Sequence, residues 1–348
     1  LEGPGWVLRM NQVRYWARYY NAQYALDAAL GAEEEAGEVL VHRVADRVEI
    51  KGTKWVEDHP EPPPTVWTLP DADTMAQYGR LEVDMRVDCP GEGHPYSATC
   101  GEWDTIGGIF LCGDEECSGA SRRRLIKWIT PYSAPGRWVM DISQELVPLV
   151  AGGEIRVVAK HGDNNVGPYT YRYTVDLRFS KRPDDLRPVS LETLIPRGGY
   201  GWNESFHEQL SEFTFTPPPG TKRVELHARI SGHGMNGNVN CAEFCTFTHQ
   251  FTINGTPFAH TYLMEKLVDR CAMLVEEGVT PNQGGTWFFD RSSWCPGWVT
   301  EEWREEVTAA VDLEGGANTI LYETGLGSKV GKPGGGNMNM RVELVYYE

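Results

Sequence analysis

Eight cysteines in close sequential pairs constrain the fold of this chain more than any other feature. They are Cys89 and Cys100, Cys112 and Cys117, Cys241 and Cys245, and Cys271 and Cys295, with long cysteine-free stretches between the pairs. The pattern fits four local disulfides, although eight cysteines formally allow many other connectivities. Disulfides persist in oxidising compartments, so a secreted or periplasmic protein is expected. No signal peptide is visible from Leu1, and one is expected to have been removed. Zinc is the competing reading, because Cys241-x3-Cys245-x3-His249 can be drawn as a ligand set. Short strands would put those side chains on alternating faces, and no second compact Cys/His pair completes four ligands. Disulfides are the stronger reading.

Between the cysteines the chain reads as short strands. Leu81–Val87, Ile109–Leu111, Leu125–Thr130, Trp138–Ile142, Glu154–Lys160 and Tyr169–Phe179 are alternating or β-branched and divided by Gly, Pro and Asp. A second series runs through Glu212–Thr216, Arg223–Ile230, Thr246–Ile253, Val307–Val311, Ile320–Glu323 and Met340–Tyr347. The 38 Gly and 22 Pro suit many tight turns, and no βαβ alternation is present. An all-β protein of two tandem sandwiches or jelly rolls is predicted, spanning 39–185 and 186–348. Lys181–Asp185 and the glycine-rich Arg197–Gly201 mark the junction. Residues 1–38 read differently: Tyr15, Tyr19, Ala22, Leu26 and Leu30 recur at helical spacing before the acidic run Glu33–Glu35. This segment is expected to be an N-terminal extension, helical and packed on the surface.

A net charge of −17 argues against nucleic acid and anionic membranes as partners, since both need a basic surface. No stretch approaches the roughly 18 apolar residues of a membrane-spanning helix. A neutral ligand such as a sugar meets no such penalty, and a monomer is expected.

Three segments crowd acids, tryptophans and glycines against cysteines. Cys100-Gly-Glu-Trp-Asp104 is followed by Ile129-Thr-Pro-Tyr132; Ile230-Ser-Gly-His-Gly234 leads into Cys241-Ala-Glu-Phe-Cys245; Gln283-Gly-Gly-Thr-Trp287 precedes Asp290-Arg-Ser-Ser-Trp-Cys-Pro-Gly297. In these motifs, taken in this order, the chain resembles the peptide-N-glycosidase F family, bacterial amidases that cleave N-linked glycans from asparagine. The resemblance covers roughly residues 40–348. It implies two side-by-side eight-stranded jelly rolls with the active site in the cleft between them. It also implies disulfides 89–100, 241–245 and 271–295, leaving Cys112 and Cys117 as an additional pair.

Carried over position by position, the family's catalytic aspartate falls on Asp104 and its assisting glutamate on Glu243. A cleft arginine and tryptophan fall on Arg291 and Trp294. Hydrolysis of an asparagine amide needs a positioned water, a group to take its proton, and stabilisation of charge on the carbonyl oxygen. Asp104 can activate the water, and Glu243 can share a bound water or donate a proton. Arg291 can hold Asp104 ionised or contact substrate. Trp294, Trp103 and Trp287 can stack on sugar faces. No cofactor is required, and no serine or cysteine nucleophile is needed. Without the resemblance, an Asp beside a Trp is a turn residue, and an Arg or Trp beside a disulfide is a packing residue.

The chain departs from the family at several of these positions. A second cleft glutamate is expected on the strand ending at His161, where Lys160 or His161 stands. The residue after Asp104 is Thr105 rather than arginine, and His233 replaces a tryptophan. His233 is thereby a candidate substrate contact or acid–base group. Copper binding through His161 and His249 finds no His-x-His or matched Met–His set. The implied substrates are N-linked glycoproteins or glycopeptides. The alternatives are a carbohydrate-binding protein without turnover, and an amidase acting on another glycoconjugate.

Overall fold

The computed structural model describes residues 4–51, 63–90, 100–101, 103–119, 121–161, 170–210, 212–234, 241–262, 269–289, 291–325 and 335–348; the side chains at 4–12, 51, 161 and 241 fall outside that description. The chain divides into two compact units. Unit 1 comprises the residues up to Asp185 together with 269–289 and 295–299, and unit 2 takes the remainder. The sequence places a single break near Asp185; the structure adds a return, in which two stretches of the later chain fold with the first unit.

Unit 1 contains β1 (Val39–Lys51), β2 (Thr65–Asp71), β3 (Arg80–Asp88), β4 (Ile106–Leu111), β5 (Arg123–Ile129), β6 (Gly136–Asp141), β7 (Gly152–His161) and β8 (Thr170–Ser180). Unit 2 contributes β9 (Pro188–Gly201), β10 (Phe213–Phe215), β11 (Arg223–His233), β12 (Thr248–Ile253) and β13 (Thr256–Thr261). The two-residue β14 (Trp298–Val299) returns to unit 1, before β15 (Trp303–Glu306), β16 (Asn318–Thr324) and β17 (Asn337–Tyr347) complete unit 2. Unit 1 has sheets ordered β1-β8-β3-β6 and β14-β5-β4-β7-β2, and unit 2 has β15-β11-β17-β9 and β10-β16-β12-β13. Every pairing between these strands is antiparallel. The predicted all-β, double jelly-roll class is what the chain forms.

Period-two alternation builds both cores. Along β3, Leu81, Val83, Met85 and Val87 point into unit 1 and meet Trp128, Trp138, Val175, Leu177 and Phe179. Along β11, Val224, Leu226, Ala228 and Ile230 do the same in unit 2, against Met340, Val342, Leu344, Phe251 and Tyr322. One predicted strand is absent. Val307–Val311 holds a 3-10 turn at Thr308–Ala310, and the strand is Trp303–Glu306 just before it, in a charged run that hid its pairing with β11.

The N-terminal helix α1 runs from Pro4 to Glu35 and packs on unit 1. Its acidic end has a specific task. The Arg178 side chain, 2% exposed on β8, donates to Glu34 at 2.5 Å and Glu33 at 2.8 Å, and its Nη2 also donates to the Leu30 carbonyl. A buried guanidinium without counter-charges would cost several kcal/mol, so the acidic run is part of the fold. Arg137 is shared in the same way between Asp84 at 2.7 Å and Asp27 at 2.5 Å.

Disulfides Cys89–Cys100, Cys112–Cys117 and Cys271–Cys295 are formed. Cys245 is also disulfide-bonded, while the Cys241 side chain lies outside the described residues. Cys245 is therefore no metal ligand, which overturns the zinc alternative. His249 is likewise a core residue of unit 2, with Nδ1 2.7 Å from the Tyr322 hydroxyl. Burial pushes its pKa down to about 3.

Candidate active site

In unit 1, Asp104 sits on the short approach from Cys100 to β4. The β4–β5 ladder continues past the strand ends, because Thr130 N donates to Thr105 O at 2.8 Å. The Thr130 hydroxyl lies in the bend around Asp104. Its Oγ1 accepts from Thr105 N at 2.8 Å and donates to the Trp103 carbonyl at 2.8 Å. Ser133 N donates to Gly101 O on the other flank. Trp103 is 50% exposed, and Asp104 is half-buried. Further along β4, Gly107 lies under the Trp128 indole, where a Cβ would come within 2.1 Å of the ring, so only glycine fits.

The register sets Lys160 opposite Gly108 and His161 opposite Gly107, which puts both at the same end of the β14-β5-β4-β7-β2 sheet as the Asp104 approach. The His161 side chain lies outside the described residues. Trp287 is buried in unit 1, with its ring edge-on to Tyr15 of α1 at 5.8 Å, and it offers no open face to a sugar.

In unit 2 the end of β11, the helical turn Cys241–Phe244 and the turn 291–294 form one cluster. Ser292 N donates to the Glu243 carbonyl at 2.7 Å, and Gly232 N to Ser292 O at 3.2 Å. Gly232 is required because a Cβ there would stand 1.6 Å from Ala242 O. The second turn is tight. Ser293 adopts φ 68°, and its hydroxyl donates to the Ile230 carbonyl.

The functional side chains interlock on this frame. Arg291, 1% exposed, donates from Nε to Glu243 Oε1 at 3.2 Å, while Gly234 N donates to Oε2 at 2.9 Å. The Arg291 guanidinium lies 4.8 Å from the Trp294 ring centroid and 5.5 Å from that of Phe244. Trp294 is buried and donates its indole N–H to Gly232 O at 2.8 Å. His233 stacks on Trp294 at 5.0 Å and 25°, with Nε2 2.7 Å from Ser231 Oγ.

The structure thus brings Glu243, Arg291, Trp294 and His233 together, and places Trp103 beside Asp104 with Lys160 and His161 at the same sheet end. Trp294 and Trp287, expected to stack on sugar, are both buried among protein side chains. A large indole next to a disulfide is most stable when enclosed, and in a half-covered site the smaller His233 is the more exposed ring. Sequence reasoning found no role for Thr130, Gln283 or Ser231. Thr130 and Gln283 lie within motifs noticed for their order, but nothing in the sequence reveals what a threonine hydroxyl or a glutamine amide reaches.

Two antiparallel sandwiches, each presenting an acid on a loop held by close backbone contacts, define a double jelly-roll protein. Residues 201–345 match the family described as Peptide-N-glycosidase F, C terminal. No curated protein matches the chain in sequence. Among solved structures it is similar to PNGase F, a glycosylasparaginase from Flavobacterium meningosepticum, at 18% identity over 88% of this chain and 95% of that one, with a TM-score of 0.65. It is similar at 18% identity to a peptide-N(4)-(N-acetyl-beta-D-glucosaminyl) asparagine amidase, covering 89% and 96% of the two chains with a TM-score of 0.67. PNGF-II is matched at 14% identity over 89% of this chain and 65% of that one, with a TM-score of 0.59. At these identities the structural likeness is one of fold; with the matched C-terminal segment it supports a member of the peptide-N-glycosidase F family.

Proposed function

We propose that the chain is an exported amidase that hydrolyses the linkage between N-acetylglucosamine and asparagine in N-glycoproteins or glycopeptides. The observation that carries this reading is a buried, ion-paired Glu243–Arg291 cluster in one unit and a braced, half-buried Asp104 in the other, on a fold shared with PNGase F. Asp104 takes a proton from the attacking water. The water oxygen bonds to the amide carbon, the carbon–nitrogen bond breaks as the leaving nitrogen takes the proton held by Asp104, and the glycan leaves as a glycosylamine while asparagine becomes aspartate.

Glu243 enters this scheme as a fixed acceptor, because both its oxygens already accept from Arg291 and Gly234. That revises its expected role as a proton donor. Trp103, and His233 at the rim of the cluster, are the side chains proposed to meet sugar. Three disulfides fit an extracellular or periplasmic setting. Among the described residues no helix is long and apolar enough to cross a membrane.

A carbohydrate-binding role without turnover remains the second reading, favoured by Lys160, Thr105 and His233 at positions where the family carries other residues. One experiment separates them. Incubation with a denatured N-glycoprotein in H2(18)O is expected to release glycan and leave 18O-labelled aspartate at the former sequon. Binding of glycopeptide with no label incorporated would establish the second reading instead.

A further inference from the structure

We propose that Thr130 is a positioning residue for Asp104; this rests on the reading that Asp104 acts in the reaction. Asp104 lies between two peptide groups, and the same hydroxyl holds both. Thr130 Oγ1 donates to the Trp103 carbonyl before Asp104 and accepts from the Thr105 amide after it, each at 2.8 Å. The Thr105 hydroxyl lies 3.1 Å away, and Thr130 N closes the ring on Thr105 O at 2.8 Å. One side chain therefore fixes the backbone on both sides of the acid, and with it the direction of the Asp104 Cα–Cβ bond.

Thr130 is itself rigid. It is 1% exposed, and its β-branched side chain has few rotamers to choose from. Two residues on, Tyr132 N donates to Gln283 Oε1 at 2.9 Å. The Gln283 amide donates in turn to Thr280 O at 2.6 Å and Pro296 O at 2.8 Å. The segment that carries Thr130 is thus anchored to two further backbone segments of unit 1. A threonine serves here because it combines a donor and an acceptor in one atom with a stiff stem. Valine would match the shape and leave a buried amide and a buried carbonyl unpaired.

Catalytic groups tolerate little displacement, and about 1 Å of misplacement costs about 10²-fold in rate. Thr130→Val is therefore expected to lower kcat about 100-fold, with KM on a glycopeptide changed less than about threefold. Thr130→Ser, which keeps the hydroxyl, is expected to stay within about fivefold of wild-type kcat. Hydrogen exchange of the Thr105 amide should accelerate in Thr130→Val and not in Thr130→Ser. Thr130→Ala replaces the valine variant if that variant does not fold.

The positioning role is overturned if hydroxyl-free variants turn over at wild-type kcat while Asp104→Asn is inert. It is also overturned if the Thr105 amide stays protected without the hydroxyl, or if Thr130→Ser loses as much kcat as Thr130→Val. Full turnover by Asp104→Asn would instead remove the reading of Asp104, and this role with it.

Discussion

The two acid-bearing loops are held by opposite means. Asp104 in unit 1 is half-buried, and what is fixed around it is neutral backbone, gripped by a threonine hydroxyl. Glu243 in unit 2 is itself fixed, buried and paired with a guanidinium that is enclosed by two aromatic rings. The first arrangement fixes the backbone on both sides of a carboxylate. The second spends its carboxylate on holding a turn together. Two acids that look equivalent in sequence, each beside a cysteine-bounded loop, are therefore expected to differ in kind.

The largest effect should come from Arg291. Arg291→Met leaves Glu243 buried without its cation, and the expected loss of stability is about 3–5 kcal/mol in urea unfolding. Adding Glu243→Gln to that variant should recover part of the loss, and a simple sum of the two single losses would break the pairing argument.

The two units should also differ in acid. His249 of unit 2 has its pKa lowered to about 3 by burial, while the unfolded chain titrates near its ordinary 6.5. Below 6.5 the unfolded state takes a proton that the folded state refuses. Stability should thus fall by about 1.4 kcal/mol per pH unit, or about 2 kcal/mol between pH 6.5 and 5. His249→Phe should flatten that slope. Further down, Glu302 adds to it: despite burial, Arg229 and Arg304 hold its carboxyl below the usual range, and its contribution is lost as pH falls below 4.5.

A comparable or smaller cost, no more than about 2 kcal/mol, is expected from replacing Cys112 and Cys117 by serine, because that disulfide closes a short loop. The smallest effect on stability should be that of Trp103→Ala, below about 0.5 kcal/mol, since the ring is half exposed. The same variant should raise KM on glycopeptides, and an unchanged KM would remove Trp103 from the sugar-binding face.

Much of this architecture is legible in the sequence where one physical rule dominates. Alternating apolar residues expose β3, β8 and β11 directly, and close cysteine spacing anticipates the three observed bridges. β1 is harder to see, because charged residues and two register shifts interrupt its alternation. β9 is masked in the same way by three shifts in its pairing with β17. At the site, residue identity announced Glu243 and Arg291, but their mutual pairing depends on a contact across 48 positions. The fate of the tryptophans depends on which face is covered. Trp103 stands out in solvent, while Trp287 and Trp294 are enclosed by residues far away in the chain. The task of Glu33 and Glu34 was invisible for the same reason, since Arg178 lies over 140 positions away.

The contrast between the two acids is tested most directly by measuring glycan release and melting temperature for Asp104→Asn and Glu243→Gln side by side. Asp104→Asn should lose about 10²–10⁴-fold in turnover while melting within about 2 °C of wild type. Glu243→Gln should melt several degrees lower, because it uncouples a buried arginine. Full turnover by Asp104→Asn, or unchanged melting of Glu243→Gln, would contradict the division of labour between the two loops.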